Sequence, residues 1–312
     1  MATSLNQALP IGYLLQDYKI IKVLSTGGFS LVYLAHDKNK KTVAIKEYMP
    51  TNLALRAEGQ TIVLNNEDDA VTFKHGLKCF FEEGLALAKI DHKNIVRVLN
   101  FFRANNTVYM VMQYERGRPL QDFILTQEQP LEESFVRKLF AEMSNGLREV
   151  HTHKLLHLDI KPANIYIRQD NSPVLLDFGS ARQILTDAHS KLAPSYTPGF
   201  ASPEHYVDRK TLGPWSDIYS LGASMYSCLA RSSPMAADLR VKKDGIIPAQ
   251  KMGKNIYSDN LLAIIDNCLN LDPLKRPQSV FSLQKDLMQD FNVDEKKQSV
   301  MHQLKNFLNK SI

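Results

Sequence analysis

From His157 to Gly179 the chain reads HLDIKPANIYIRQDNSPVLLDFG. Asp159, Lys161 and Asn164 stand there at the spacing D-x-K-x-x-N. Asp177-Phe178-Gly179 follow an apolar run, Val174 to Leu176, that is long enough for one short strand. Apolar segments flank both aspartates, which argues against a merely solvated, charged loop. An aspartate to take a proton, a lysine to offset phosphate charge and an Asn/Asp pair to hold magnesium are the parts that phosphoryl transfer requires.

The rest of the composition narrows the class. At 312 residues with 44% apolar content, the chain is long enough for one large or two modest domains with a substantial core. The net charge of +5 is scattered. Basic residues form no stripe interleaved with aromatics, so no nucleic-acid partner is expected. The longest mainly apolar stretch, Tyr219 to Ala230, is too short and too polar to span a bilayer. MATSLNQALP has neither a positive start nor an apolar core, so it does not read as a secretory signal. Cys79, Cys228 and Cys268 are far apart and form no CxxC. They read as small buried hydrophobes in a reducing compartment, without a zinc site or disulfide framework. The expectation is a soluble, cytoplasmic, globular protein.

Residues 18–26, 30–37 and 41–48 alternate or run apolar, with turn signals at Gly27-Gly28 and Asp37 to Lys40, and predict an antiparallel meander. Residues 73–90 carry Leu77, Phe80, Phe81, Leu85, Leu87, Ala88 and Ile90 at helical spacing. Two further strands are expected at 95–102 and 107–114, turning at Asn105-Asn106. From Leu120 the pattern is helical, with segments near 132–152, 215–231, 259–269 and 277–290. The fold class is α+β: a small five-stranded antiparallel lobe with one helix, then a larger, mostly helical lobe. The expected division is a lead-in at 1–17, a small lobe at 18–114, a hinge at 115–118, a large lobe at 119–290 and a tail at 291–312. Met301, Leu304, Phe307 and Leu308 suggest an amphipathic helix in that tail, docked on the large lobe or, as the alternative, free for a partner. The segment 50–72 is longer than a connection needs, and its role is not evident.

Two more motifs complete the pattern. Leu24-Ser25-Thr26-Gly27-Gly28-Phe29-Ser30-Leu31-Val32 forms a strand-turn-strand of small residues, where backbone N–H groups can approach phosphates. It lies just ahead of Val43-Ala44-Ile45-Lys46, in which a lysine ending an apolar strand needs a partner for its ammonium. Together with the loop at 157–179, these motifs resemble the eukaryotic-type Ser/Thr protein kinases over about residues 9 to 285. LPIGYLLQDYKI, VAIKEYMP and GPWSDIYSLGA look like bacterial members in particular.

The resemblance implies a bilobal kinase fold and transfer of the γ-phosphoryl group of ATP, with magnesium or alternatively manganese, to Ser/Thr hydroxyls of a protein substrate. A pseudokinase or nucleotide-binding scaffold is the alternative. Asp159 would accept and orient the substrate hydroxyl, Lys161 would offset phosphoryl charge, and Thr197 would bond that pair. Asn164 and Asp177 would hold the metal. Lys46 would meet the phosphates and a helix glutamate. Counting back from His92-Lys93-Asn94-Ile95-Val96 selects Glu83, with Glu82 as the register alternative. Leu24, Ser25, Gly27, Gly28, Phe29, Ser30, Val32 and Ala44 would cover the nucleotide. Met112 would back the adenine, Gln113 and Glu115 would offer main-chain groups, and Tyr166 would lie beneath. Asp217 would anchor the catalytic loop, and Arg276 would pair with Glu204.

The chain departs from the family's motifs at positions that bear on the chemistry. Ser25 and Ser30 replace glycines, Ser202 replaces the alanine before Pro203-Glu204, and Leu158 replaces the arginine before Asp159. That arginine normally meets a phosphate on the activation segment. Leu158 cannot, so a phosphate on Thr186, Ser190 or Ser195 would lack its main partner unless Arg182 or Lys191 substitutes. Control is then expected in the Glu83 helix or the tail.

Overall fold

In strand 30–36, Leu31, Tyr33 and Ala35 are fully buried while Ser30, Val32 and Leu34 are half-buried, the two-residue period of a strand with unlike faces. A computed structural model describes residues 8–178, 182–183 and 196–289, with the side chains of 182, 183 and 209 excepted. The expectations for Gly179, Thr186, Ser190, Lys191, Ser195, the Arg182 side chain and the tail at 291–312 lie outside the described residues.

The small lobe contains β1 (Leu14–Leu15), β2 (Tyr18–Thr26), β3 (Ser30–His36), β4 (Thr42–Tyr48), β5 (Ala54–Arg56), β6 (Ile62–Leu64), α1 (Ala70–Leu87), β7 (Val98–Ala104) and β8 (Thr107–Gln113). Its sheet has six strands rather than five, in the order β1-β2-β3-β4-β8-β7 and antiparallel throughout. The extra strand is two residues folded back on Tyr18–Lys19, too short to show an alternation. β7 begins at Val98 rather than 95 because Ile95 bridges Leu175 of the other lobe.

The segment 50–72 has a structural role. β5 and β6 form a hairpin that, with residues 8–15, buries Leu9, Leu15, Leu53, Ala54 and Ile62 in the small-lobe core. Arg56 carries a salt bridge of 2.6 Å to Glu47, which also accepts the Tyr33 and Tyr109 hydroxyls, each at 2.6 Å. The Leu9 N–H reaches the Tyr33 hydroxyl at 3.1 Å. Glu47 points away from Lys46 across the pleat, so this buried carboxylate is satisfied on the outer face.

α1 buries Phe73, Gly76, Phe80, Gly84 and Leu87 along one stripe. Gly84 allows β7 to approach, since a side-chain carbon there would collide with the Phe101 ring. Cys79 falls off the stripe and is exposed, against the expectation of burial. Cys228 and Cys268 are buried as expected.

The second lobe comprises β9 (Gly117–Pro119), α2 (Leu120–Thr126), α3 (Glu133–Thr152), β10 (Leu155–Leu156), β11 (Ile165–Arg168), β12 (Pro173–Leu175), β13 (Arg182–Gln183), α4 (Glu204–Val207), α5 (Pro214–Ala230), α6 (Ala237–Lys242), α7 (Ala249–Met252), α8 (Asp259–Cys268) and α9 (Val280–Met288). α5 is buried from Ser216 to Cys228. It tolerates Ser220, Ser224 and Ser227 there because each hydroxyl donates to the carbonyl four residues back. One apolar cluster lies within the small lobe, and the other fills the large lobe and also takes in Ala86, Leu87, Ile90, Ile95 and Val96. Among the described residues no helix is long and apolar enough to cross a membrane.

Candidate active site

The loop between β10 and β11 is held by α5. Asp217, fully buried, accepts the main-chain N–H of His157 at 3.0 Å and of Leu158 at 2.8 Å, and lies 2.8 Å from the His151 ring. Burial alone would raise its pKa, but the His151 bond, the neighbouring histidines and the Leu158 N–H hold it below the ordinary carboxylate range. Leu158 thereby sits at φ 64°, a left-handed conformation uncommon outside glycine. Burial also lowers the pKa of His157. The neutral ring donates from Nε2 to the Leu176 carbonyl at 3.2 Å and accepts the Asp159 N–H on Nδ1 at 3.3 Å. The loop is thus tied to the chain just ahead of Asp177.

Within the loop, Asp159, Lys161 and Thr197 close a triangle. Lys161 Nζ donates to Asp159 Oδ2 and to Thr197 Oγ1, each at 2.7 Å, and Thr197 Oγ1 donates to Asp159 Oδ1 at 2.8 Å. Asn164 Nδ2 donates to the Asp159 carbonyl at 2.8 Å and to Oδ2 at 3.1 Å. Its amide oxygen has no partner among the described residues and is aimed by the bonds its nitrogen makes.

Lys46 pairs with Asp177 Oδ1 at 2.6 Å, with its ammonium 5.6 Å from the Phe80 ring centre. Glu82 and Glu83 point in different directions. Glu82 is exposed and pairs with Lys78, whereas Glu83 turns inward with a buried Oε1 that has no hydrogen-bond partner. Among the described residues no ion pair of Lys46 is formed with Glu83. Burial pushes the Glu83 pKa up to about 8 despite the opposing charge of Lys46.

Gly27 and Gly28 cross the turn from β2 to β3. A side-chain carbon would meet only ordinary contact at Gly27 and nothing at Gly28, so the fold itself does not demand glycine at either position. The turn is tied down by Met49 N–H to the Phe29 carbonyl at 2.9 Å and Thr51 N–H to the Gly28 carbonyl at 3.1 Å. Val32 and Leu34 lie half-buried beside Ala44, and Leu24 is part-exposed. Met112 pairs with Ala44 across β4 and β8. Beyond Gln113, the main-chain N–H and C=O of Glu115 have no partner among the described residues. Its carboxylate is gripped by Arg168 through bonds of 2.7 and 3.0 Å. Tyr166 lies at the start of the same strand, its hydroxyl donating to the Gly117 carbonyl at 2.8 Å.

The family profile for the protein kinase domain matches residues 18–289. The chain belongs to the protein kinase family. Human serine/threonine-protein kinase Nek2 is 28% identical over 297 residues, covering 91% of this chain and 62% of the relative. The serine/threonine-protein kinase ppk34 of Schizosaccharomyces pombe is 27% identical over 289 residues, covering 85% of this chain and 81% of that protein. A solved structure of PpkA-294 in its apo form is similar at a TM-score of 0.81 and 35% identity, covering 90% of this chain and 99% of that one. The chain therefore spans under two thirds of the human relative's length.

In this kinase domain Arg276 reaches Glu204 through bonds of 2.8 and 3.2 Å, with both side chains buried. The Arg168–Glu115 clamp on the hinge escaped the sequence reading, because its partners are 53 positions apart and share no motif.

The unpaired Glu83 makes the pH response of the kinase domain specific. A carboxyl whose folded pKa lies near 8, against 4.5 ordinarily, stabilises the fold fully below about pH 4.5 and loses that contribution as pH rises through 8. Glu83→Gln removes the titration. Melting without nucleotide between pH 5 and 9 is expected to favour Glu83→Gln increasingly over wild type, by on the order of a few kcal/mol at the alkaline end. Parallel melting curves would show that Glu83 does not titrate in this window.

Proposed function

We propose that this protein is a Ser/Thr protein kinase that transfers the γ-phosphoryl group of ATP to Ser/Thr hydroxyls of protein substrates. The closed Asp159–Lys161–Thr197 triangle carries this reading. A carboxylate offers about four lone-pair sites, and Asp159 spends three on Thr197, Lys161 and Asn164. One site on Oδ1 remains for the substrate hydroxyl, whose proton Asp159 orients and accepts. Lys161 is within reach of the same centre and offsets charge on the transferring group.

The donor set fits a hard divalent cation. Asn164 presents an aimed amide oxygen and Asp177 a half-exposed carboxylate, and magnesium binds through one or two such groups plus phosphate oxygens. Manganese accepts the same donors. When bound, the cation neutralises phosphate oxygens. Lys46, next to Asp177, contributes positive charge to the same phosphates, and Gly27-Gly28 leave their main chain open to approach. Met112, the free main chain of Glu115 and the Tyr166 ring frame an adenine between the lobes.

Ser25 and Ser30 in the phosphate loop favour a scaffold without transfer, but retention of Lys46, Asp159, Lys161, Asn164 and Asp177 outweighs them. Leu158 adds that activity does not depend on a phosphorylated activation segment. Purified protein, phosphatase-treated and checked by mass spectrometry, is expected to phosphorylate a generic protein substrate from labelled ATP and magnesium at an undiminished initial rate. A loss of tenfold or more, about 1.4 kcal/mol in the barrier, restored by autophosphorylation would overturn that independence. Nucleotide binding with no transfer would establish the scaffold instead.

A further inference from the structure

Leu158 and Ser202, two of the positions that depart from the family's motifs, meet at one side chain. His205, on α4, places Nε2 3.2 Å from the Leu158 carbonyl and Nδ1 2.9 Å from Ser202 Oγ. A carbonyl can only accept, so Nε2 carries the proton, and Nδ1 accepts from the Ser202 hydroxyl. Burial lowers the imidazole pKa, outweighing Asp217, Glu204 and the hydrogen bonds, and favours this neutral tautomer. The ring edge also packs against Tyr196, at 6.1 Å between centres, next to Thr197. α4 itself is pinned, because Glu204, its first residue, pairs with buried Arg276.

Leu158 holds a left-handed backbone at φ 64° immediately before Asp159. Such a conformation persists only when its surroundings over-determine it. Asp217 grips it from the N–H side and His205 from the carbonyl side. We propose that His205 is a positioning residue for phosphoryl transfer, joining the left-handed turn before Asp159 to the segment that carries Thr197. Asp159 is thereby set between two anchors, one through the loop backbone and one through Thr197 Oγ1. Tethering both ends fixes the direction of its remaining lone pair, and misplacement by an ångström is enough to slow transfer strongly.

The inference rests on the kinase reading, and steady-state kinetics separate the two. His205→Leu is expected to lower kcat about tenfold or more while the KM for ATP stays within about twofold, since the nucleotide walls are untouched. His205→Gln, whose amide nitrogen can reach the Leu158 carbonyl, is expected to recover kcat to within about threefold of wild type, and Ser202→Ala to cost roughly threefold. Wild-type protein that transfers phosphate alongside a folded His205→Leu with kcat within twofold would overturn the role of His205. So would a loss confined to melting temperature that Gln does not rescue. If His205→Leu does not fold, His205→Gln against His205→Asn decides, because Asn cannot span the distance; equal kcat values overturn the proposal. Wild-type protein that transfers no phosphate overturns the kinase reading and this inference with it.

Discussion

Asp159→Asn is expected to lower phosphoryl transfer by roughly two to four orders of magnitude, the usual contribution of a positioned general base. The change keeps the side-chain shape but removes the charge and turns a donor toward Lys161, Asn164 or Thr197, all of which already donate to this group. The fold should survive, because Lys161 is part-exposed and can return its ammonium to water. Lys46→Met is expected to be equally damaging for a different reason, the loss of positive charge beside Asp177. It also leaves the fold intact, since Asp177 is half exposed and can return its charge to water, and burial already raises the Glu83 pKa. Initial rates measured beside thermal melting check both variants. Near wild-type activity in Asp159→Asn would refute the role given to that loop.

Arg276→Ala is expected to act on stability instead, by roughly 3–5 kcal/mol, the cost of stranding one member of a buried ion pair. Glu204 is buried and would keep only a long contact of 3.4 Å from Ser216 Oγ. The carbonyls of Asn270, Leu271 and Trp215, which Arg276 meets at 2.7, 3.1 and 3.1 Å, would lose their donor at the same time. The damage is confined to the large lobe, so nucleotide affinity of the folded fraction should change little. Denaturant unfolding together with nucleotide titration measures both. An unchanged midpoint would mean that the pair contributes nothing net.

Much of the site was legible before any fold was known, and the reason is covalent. Asp159, Lys161 and Asn164 lie within six positions of one another, so their spacing alone restricts them to one loop. Asp217 and Arg276 were legible for a related reason: a charged group in an apolar helical context must find a partner, and motif position suggested which. The helix at 70–87 was legible in type but not in phase. Apolar residues surround much of it, Leu85 is part-exposed, and nothing local showed that Cys79 would face water.

The order of elements, the two-lobed division and the grouping of Asp159, Lys161 and Asn164 in one loop were determined by the sequence itself, because hydrophobic period and motif spacing are local quantities. Tertiary structure decided which groups meet. Lys46 takes Asp177, 131 positions away, as its ion-pair partner, a meeting that no local pattern sets. The same holds for the cover that 50–72 lays over the sheet, where Arg56 answers the buried charge of Glu47. It holds again for the bridge from Ser202 through His205 to Leu158, which spans 47 positions. Desolvation and hydrogen-bond satisfaction are set by the packed neighbourhood, and that neighbourhood exists only once the chain has folded.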